Sequence, residues 1–240
     1  MVFSTLGLGF LIGMQHATEI DHVAAVSSIA SSKAGVRSIS RHGLFWGIGH
    51  TMTLLLVGGT CIILRTSMPD NLASQLEFAV GVMLIGLGAH VLYKLWRDRV
   101  HFHSHQHQGS GSTHFHAHSH RADRDEHGAS QHAHVHDDGV PWRTLVVGLV
   151  HGMAGSAALV VLTAATLDSP WWGIIYILTF GIGTAAGMAL LSAVIAAPIT
   201  LTARSLTFAN RALQAIIGIF TCAVGVRILL ETAHQAFANI

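Results

Sequence analysis

Six long apolar segments dominate this chain and limit what it can fold into. They lie at 2–30, 43–64, 76–96, 142–166, 171–197 and 208–231. Each is long enough to cross roughly 30 Å of hydrocarbon as a helix. Only 10% of the residues are charged and the mean hydropathy is +0.52, values that a soluble domain rarely has. The sequence therefore predicts an all-α, polytopic membrane protein with six transmembrane helices.

The first three predicted helices resemble the last three. Gly47-Ile48-Gly49 in the second helix matches Gly181-Ile182-Gly183 in the fifth. The third and sixth helices share a glycine spacing, at Gly81 and Gly88 and at Gly218 and Gly225. Two halves of three helices each would be inverted in the membrane, as in many transporters. Because glycine also serves close packing of membrane helices, a coincidence remains open.

A histidine-rich segment separates the two halves, which we place at 1–96 and 142–240. Between His101 and His136 it contains twelve histidines, interleaved with Ser, Gln, Gly and Asp. With almost no apolar residues to form a core, the loop at 97–141 is predicted to be disordered. Neutral imidazoles suit Zn, Cu, Ni or Co, so the loop is typical of a metal buffer or sensor, the alternative being a solvated linker.

Lysine and arginine indicate the orientation. Most of them lie in the first, third and fifth connections, whereas the second holds only Arg65 and the fourth none. By the positive-inside rule these odd-numbered loops, including the histidine-rich one, are cytoplasmic and both termini lie outside. We expect a multi-pass protein of a bacterial inner membrane.

The first apolar segment carries ionisable residues that are costly in a membrane and usually functional. On a regular helix, which advances about 100° per residue, His16, Glu19 and His22 share one stripe while Asp21 points elsewhere. Two alternatives follow. Either Asp21 orients a histidine, or the helix is broken here.

Depth in the membrane groups three histidines from three helices. At about 1.5 Å per residue from the cytoplasmic ends, His22 lies about 14 Å deep, His50 about 11 Å and His151 about 14 Å. Glycines flank both His50 and His151. A single intramembrane histidine is often only hydrogen-bonded to a neighbour, but three at one level beside an acid favour a metal site.

The spacing His16, four residues, Asp21-His22 resembles the HX4DH signature of the nickel/cobalt transporter family. Gly49-His50-Thr51 resembles a second motif of that family, and Gly183 to Ser192 loosely resembles a later one. The resemblance implies transport of Ni²⁺ or Co²⁺, with His16, Asp21 and His22 in the metal site or its selectivity filter. Larger members have eight helices, so six resemble the shorter branch, which includes urease-linked membrane proteins and exporters.

We therefore predict a nickel or cobalt transporter without a resident cofactor. In this hypothesis His16, Asp21, His22 and His50 coordinate the ion. His151 is a further ligand or gate, and Glu19 helps to neutralise the charge. Import and export, and Ni²⁺ and Co²⁺, remain open, as do the coupling ion, the oligomeric state and whether the loop is essential.

Other classes of protein fit less well. A membrane di-iron enzyme needs HxxHH boxes, and the sequence has no adjacent pair of histidines and no His-Glu-x-x-His or Walker-A motif. We therefore predict that the chain is not an enzyme. A membrane-anchored metal sensor stays open. The expected partners are the metal ion, the lipid bilayer and a cytoplasmic metallochaperone, and the net charge of +1 predicts no nucleic acid.

Overall fold

The computed structural model describes most of the apolar chain. The described residues are 2–31, 35–66, 68–97, 101–106, 113–118, 141–152, 160, 163–164, 166–167, 169–205 and 207–236. Within them lie seven helices and two short strands. The helices are α1 (Val2–His16), α2 (Ile20–Ser31), α3 (Val36–Leu64), α4 (Asp70–Arg97), α5 (Trp142–His151), α6 (Pro170–Ser205) and α7 (Thr207–Ala236), and the strands are β1 (His101–Gln106) and β2 (Thr113–His118).

Four of the helices are long and apolar enough to cross a membrane. The candidate spans are Val36–Leu64, Asp70–Arg97, Pro170–Leu201 and Phe208–Ala233. They contain the predicted segments at 43–64, 76–96, 171–197 and 208–231. Large apolar side chains such as Leu56 and Leu230 are exposed on their outer faces, as expected where lipid rather than water is the solvent. A helical, multi-pass membrane protein is thus confirmed in outline.

The other two predicted spans differ from single transmembrane helices. The segment 2–30 is divided into α1 and α2, of 15 and 12 residues. Of the segment 142–166, α5 covers only the first ten residues. At about 1.5 Å per residue, each of these three helices is shorter than the roughly 30 Å of hydrocarbon. The described chain therefore confirms four of the six predicted spans. The first segment is broken after His16, and residues 153–159 of the segment 142–166 lie outside the described residues.

The long helices pack as two pairs, α3 with α6 and α4 with α7. Glycines allow the second pair to approach closely: a side chain at Gly81 would meet the carbonyl of Gly225, and one at Gly88 would meet that of Gly218. Because residue numbers rise along one helix as they fall along the other, the pair is antiparallel. The short helices lie against the long ones, α1 on α6 and α5 on α3.

Part of the histidine-rich loop forms a small antiparallel sheet. Strands β1 and β2 pair in a register that sets His101 opposite His118 and His105 opposite His114. For these two segments the structure differs from the predicted disorder, although an isolated pair of strands is only marginally stable in water. The remaining residues of the loop, 98–100, 107–112 and 119–140, lie outside the described residues.

Candidate metal centre

The break between α1 and α2 brings the ionisable residues of the first segment together. After His16 the backbone turns tightly, with Thr18 N–H donating to the Gln15 carbonyl at 2.8 Å and Glu19 N–H donating to the His16 carbonyl at 3.0 Å. Such three-residue bonds are typical of a helix end. The turn sets Glu19 Oε1 at 2.9 Å from His16 Nδ1. It also re-aims Asp21 and His22, which begin α2.

Three buried histidines form the first group of candidate ligands. His16, His22 and His50 each offer a ring nitrogen, and these atoms all lie within 4.8 Å of one another. The ring centroids are 4.4 to 5.4 Å apart. Imidazole nitrogens bind ions such as Zn²⁺ at about 2.0–2.1 Å, so three nitrogens at this separation can close on one ion after a small shift. This group could therefore hold a divalent transition-metal ion.

A second group shares one histidine with the first. It consists of Asp21, His22 and His151, whose ligand atoms again lie within 4.8 Å of one another. Asp21 Oδ1 is 2.9 Å from His22 Nδ1, and Asp21 Oδ2 is 3.0 Å from His151 Nε2. Because an ionised carboxylate only accepts hydrogen bonds, both ring nitrogens donate to it. His22 is thus common to both groups.

The carboxylate of Asp21 sets the tautomer of both histidines that it contacts. With Nδ1 of His22 and Nε2 of His151 as donors, the other ring nitrogen of each carries a lone pair. Within the described chain His22 Nε2, His151 Nδ1 and His50 Nδ1 are buried and have no hydrogen-bond partner. Buried polar atoms are nearly always satisfied. These three nitrogens are therefore suited to bind a ligand such as a metal ion.

Two helix ends meet at this centre. α1 ends at His16 and α5 ends at His151, each with its histidine in the last turn. Helix C-termini carry partial negative charge, which favours a cation. Glycine brings each short helix onto a long one, since a side chain at Gly13 would meet the Phe180 carbonyl and one at Gly148 would meet the Trp46 carbonyl.

Sequence reasoning missed Trp46, which borders the centre. Its side chain is fully buried, and the ring lies parallel to His22 at 6.0 Å between centroids and edge-on to His151 at 5.4 Å. An aromatic residue inside an apolar span is normally a packing residue. The signal that could have found it is its spacing from His50, because residues four apart share one face of a helix.

A cavity reaches the centre from one end of the helix bundle. Its volume is about 360 Å³, and its lining includes His16, Glu19, Thr163, Tyr176 and Phe180. The Glu19 side chain is 41% exposed, whereas that of His16 is 3% exposed. Solvent thus reaches the carboxylate that bonds His16, and a hydrated ion could come as far as this histidine.

The structure brings all six predicted site residues into one region. His16, Asp21, His22, His50 and His151 are buried together, and Glu19 lies at the mouth of the cavity. Of the alternatives for Asp21, both are present: the helix is broken, and the carboxylate orients two histidines. Their role as metal ligands stays a prediction.

Histidines left out of the predicted site lie elsewhere. His42 Nδ1 lies 2.6 Å from Thr144 Oγ1. His90 is exposed on α4, and the side chain of His234 lies outside the described residues.

Comparison with known proteins agrees with the geometry. The profile of the NicO family, described as high-affinity nickel-transport protein, matches residues 2–233. A urease accessory protein, UreH, of Bacillus sp. (strain TB-90) is 36% identical over 221 residues, which cover 89% of this chain and 85% of that relative. No solved structure matches the chain. The resemblance inferred from HX4DH is confirmed, and the chain belongs to the NicO family of nickel-transport proteins.

Proposed function

We propose that this chain carries Ni²⁺ or Co²⁺ across a bacterial cytoplasmic membrane through the buried histidines and Asp21. The observation that carries the proposal is the pair of three-residue groups that share His22. An ion held by His16, His22 and His50 would lie next to Asp21 and His151, because His22 belongs to both groups. A mixed set of imidazole and carboxylate ligands suits the later first-row metals, whereas Mg²⁺ and Ca²⁺ prefer oxygen alone.

Glu19 has a different role in this proposal. Its carboxylate is partly exposed in the cavity and contacts His16. A negative charge at the mouth of a narrow cavity raises the local concentration of cations. Glu19 therefore draws the ion in and offsets its charge while His16 replaces bound water.

The metal supplied in this way would serve urease or metal tolerance. The relative named as a urease accessory protein favours nickel supply to urease, with a cytoplasmic metallochaperone as the receiving partner. Export of the same ions would use the same site in the other direction. The histidine-rich loop at 97–141 acts as a metal buffer or sensor in either case.

An inverted repeat of halves 1–96 and 142–240 is part of the proposal. It is supported by glycine contacts that recur when one half is exchanged for the other. Gly47 faces Ala185 as Gly181 faces Thr51, and the pair Gly81 and Gly225 corresponds to the pair Gly218 and Gly88. In such repeats the substrate site lies where the halves meet. The short helices ending at His16 and His151 would then be equivalent, with the metal between them.

Orientation follows from charge. With Lys33, Arg37 and Arg41 before or within the first turns of α3, that end of the bundle is cytoplasmic by the positive-inside rule. The cavity at Glu19 lies toward the other end of α3 and would open outside.

The test is ion flux into sealed proteoliposomes that contain only this protein. His22→Ala should reduce ⁶³Ni²⁺ flux at least tenfold, because it removes the ligand common to both groups. The matched control is His90→Ala, which removes an exposed histidine of α4 and should leave flux unchanged. Flux by His22→Ala equal to that of the parent would contradict the assignment, provided that both variants insert and elute as the parent does.

A further inference from the structure

A narrow gap between packed side chains lies on the far side of the metal centre. Its lining includes Ile39, His42, Trp46 and Ser192. We call it the closed cavity because it has no room for a water molecule. Tyr176 in the open cavity and Ser192 in the closed one are 16 residues apart on α6. At about 1.5 Å per residue these two residues are about 24 Å apart along the helix, and Phe180, which also lines the open cavity, is about 18 Å from Ser192. The metal centre lies between them.

The two cavities are bordered by aromatic residues in matching positions. Phe180 lines the open cavity, and its carbonyl is the atom that a side chain at Gly13 would meet. Trp46 lines the closed cavity, and its carbonyl is the atom that a side chain at Gly148 would meet. Each ring lies beside the histidine that ends the adjoining short helix.

The ring distances agree closely between the two positions. The His16 and Phe180 centroids are 5.3 Å apart, and the His151 and Trp46 centroids are 5.4 Å apart. The same arrangement of glycine, aromatic ring and helix-ending histidine thus occurs twice. One copy faces an open cavity and the other a closed one. A carrier must expose its site to each side in turn, so a second entrance that is shut in this state is expected on the side away from the open cavity.

We propose that Trp46 is the gate of this second entrance and that His42 and Ser192 line the path beyond it. This inference rests on the proposed function. Trp46 is fully buried and separates His22 and His151 from the closed cavity. In the described chain its indole N–H is buried and has no hydrogen-bond partner, so packing alone holds the ring in place. A rotation of this ring would join the metal centre to the closed cavity.

His42 gives the second entrance a ligand of its own. It lies one helical turn before Trp46 on α3, and His50 lies one turn after Trp46, so the three residues follow one face of the helix. Its imidazole would receive the ion after Trp46 moves, as Glu19 and His16 receive it at the open side. His42 is also tied to α5 through Thr144, so a shift of α5 against α3 would move the lining of the path.

Site-directed labelling tests the gate without depending on transport. Cys61 and Cys222 are first replaced by alanine, and a single cysteine is placed at Thr163 in the open cavity or at Ser192 in the closed one. A membrane-impermeant methanethiosulfonate is then added to right-side-out or inside-out vesicles. We expect Thr163→Cys to react from one face only, and Ser192→Cys to react at least tenfold more slowly, from the other face.

Trp46→Ala should raise the labelling rate of Ser192→Cys at least tenfold from the face that labels Thr163→Cys, because it joins the closed cavity to the metal centre and the open cavity. Trp142→Ala, which removes an exposed indole, is the matched control and should not change it. Unchanged Thr163→Cys labelling shows that the Trp46→Ala variant is folded. If Thr163→Cys labelling changes, Trp46→Phe is used instead. It should raise the labelling rate of Ser192→Cys about threefold, because the single ring of phenylalanine replaces the double ring of tryptophan.

Three results would overturn the gate. First, with Trp46 intact, Ser192→Cys could label as fast as Thr163→Cys. Second, with Trp46 intact, Ser192→Cys could label from the face that labels Thr163→Cys. Third, the labelling rate of Ser192→Cys could be as slow in the Trp46 variants as in Trp142→Ala. If Trp46 controls labelling but the protein shows no nickel flux, the proposed function is contradicted and the gate stands. If the protein shows nickel flux but Trp46 does not affect labelling, the gate is contradicted and the proposed function stands.

Discussion

The ends of α1 and α5 are built alike but have different surroundings. Each short helix packs through a glycine onto a long helix and ends on a buried histidine, His16 in α1 and His151 in α5. His16 is bonded to Glu19 beside a cavity that solvent reaches. His151 is bonded to Asp21 and is fully buried.

The difference shows how one local arrangement, a helix-ending histidine bonded to a carboxylate, suits both the capture and the holding of an ion. A partly exposed carboxylate at His16 suits the capture of a hydrated ion, because water still screens and exchanges there. A buried carboxylate at His151 suits the holding of an ion whose water has been removed, because charges interact more strongly where water is excluded. The two ends therefore differ in what surrounds the histidine, and four substitutions test whether that difference is real.

The largest effect is expected from Asp21→Asn. The amide cannot accept a hydrogen bond through both terminal atoms, so either His22 or His151 loses the partner that fixes its tautomer. Loss of such a supporting group typically costs about 10–100-fold in metal affinity. Titration calorimetry with Ni²⁺ on the detergent-solubilised protein would measure it.

Asp70→Asn is the control for this change, because it removes an exposed carboxylate at the start of α4. It should leave the affinity unaltered. An Asp21→Asn affinity within threefold of the parent would mean that the buried end does not depend on its carboxylate.

A smaller effect on stability is expected at the two glycines. Gly13→Ala and Gly148→Ala each push a methyl group against a backbone carbonyl, that of Phe180 or of Trp46. Overpacking of this kind costs about 1–3 kcal/mol, which thermal unfolding in detergent would detect. Gly7→Ala is the control in α1, since nothing lies within 4 Å of an added methyl group there, and it should gain up to about 1 kcal/mol. A loss at only one of the two glycines would show that the helix ends are packed differently.

The smallest effect is expected from Glu19→Gln. Its carboxylate is 41% exposed and contacts His16, and exposed ion pairs contribute about 0–1 kcal/mol. The KM for ⁶³Ni²⁺ flux should rise no more than about fivefold, and the rise should shrink as salt is added, because salt screens exposed charges. Glu231→Gln, an exposed change on α7 away from the cavity, should leave KM unaltered. A KM that rises more than tenfold, or a rise that salt does not reduce, would mean that the Glu19 carboxylate acts like the buried carboxylate of Asp21.

Much of the fold could be predicted from hydropathy. The spans of α3, α4, α6 and α7 were found because their apolar stretches exceed the thickness of the membrane. The starts of α3 and α4 were predicted several residues too late, since polar residues such as Arg37 and Asp70 start helices without adding to hydropathy. Hydropathy also could not tell that 2–30 is two helices, because a three-residue turn leaves the apolar average unchanged.

The candidate site was predicted from the angle between residues around a helix and from their depth along it. The angle of Asp21 on a regular helix required either a supporting role or a break, and depth placed His22, His50 and His151 at one level. Neither count could find the contact between Asp21 and His151, which are 130 residues apart. That pairing depends on how α5 packs on α3, and only tertiary structure contains it. Trp46 was missed because packing and gating use the same kind of apolar ring.

The bond between Asp21 and His151 also has a consequence for biosynthesis. Chains are made from the N-terminus at about 5–20 residues per second, so the 101 residues from Thr51 to His151 take about 5–20 s to appear. During that time Asp21 has no bond to His151. The carboxylate then acquires its second histidine only when α5 docks. The candidate metal centre therefore becomes complete late in assembly, and a truncated chain that ends in the histidine-rich loop would lack His151.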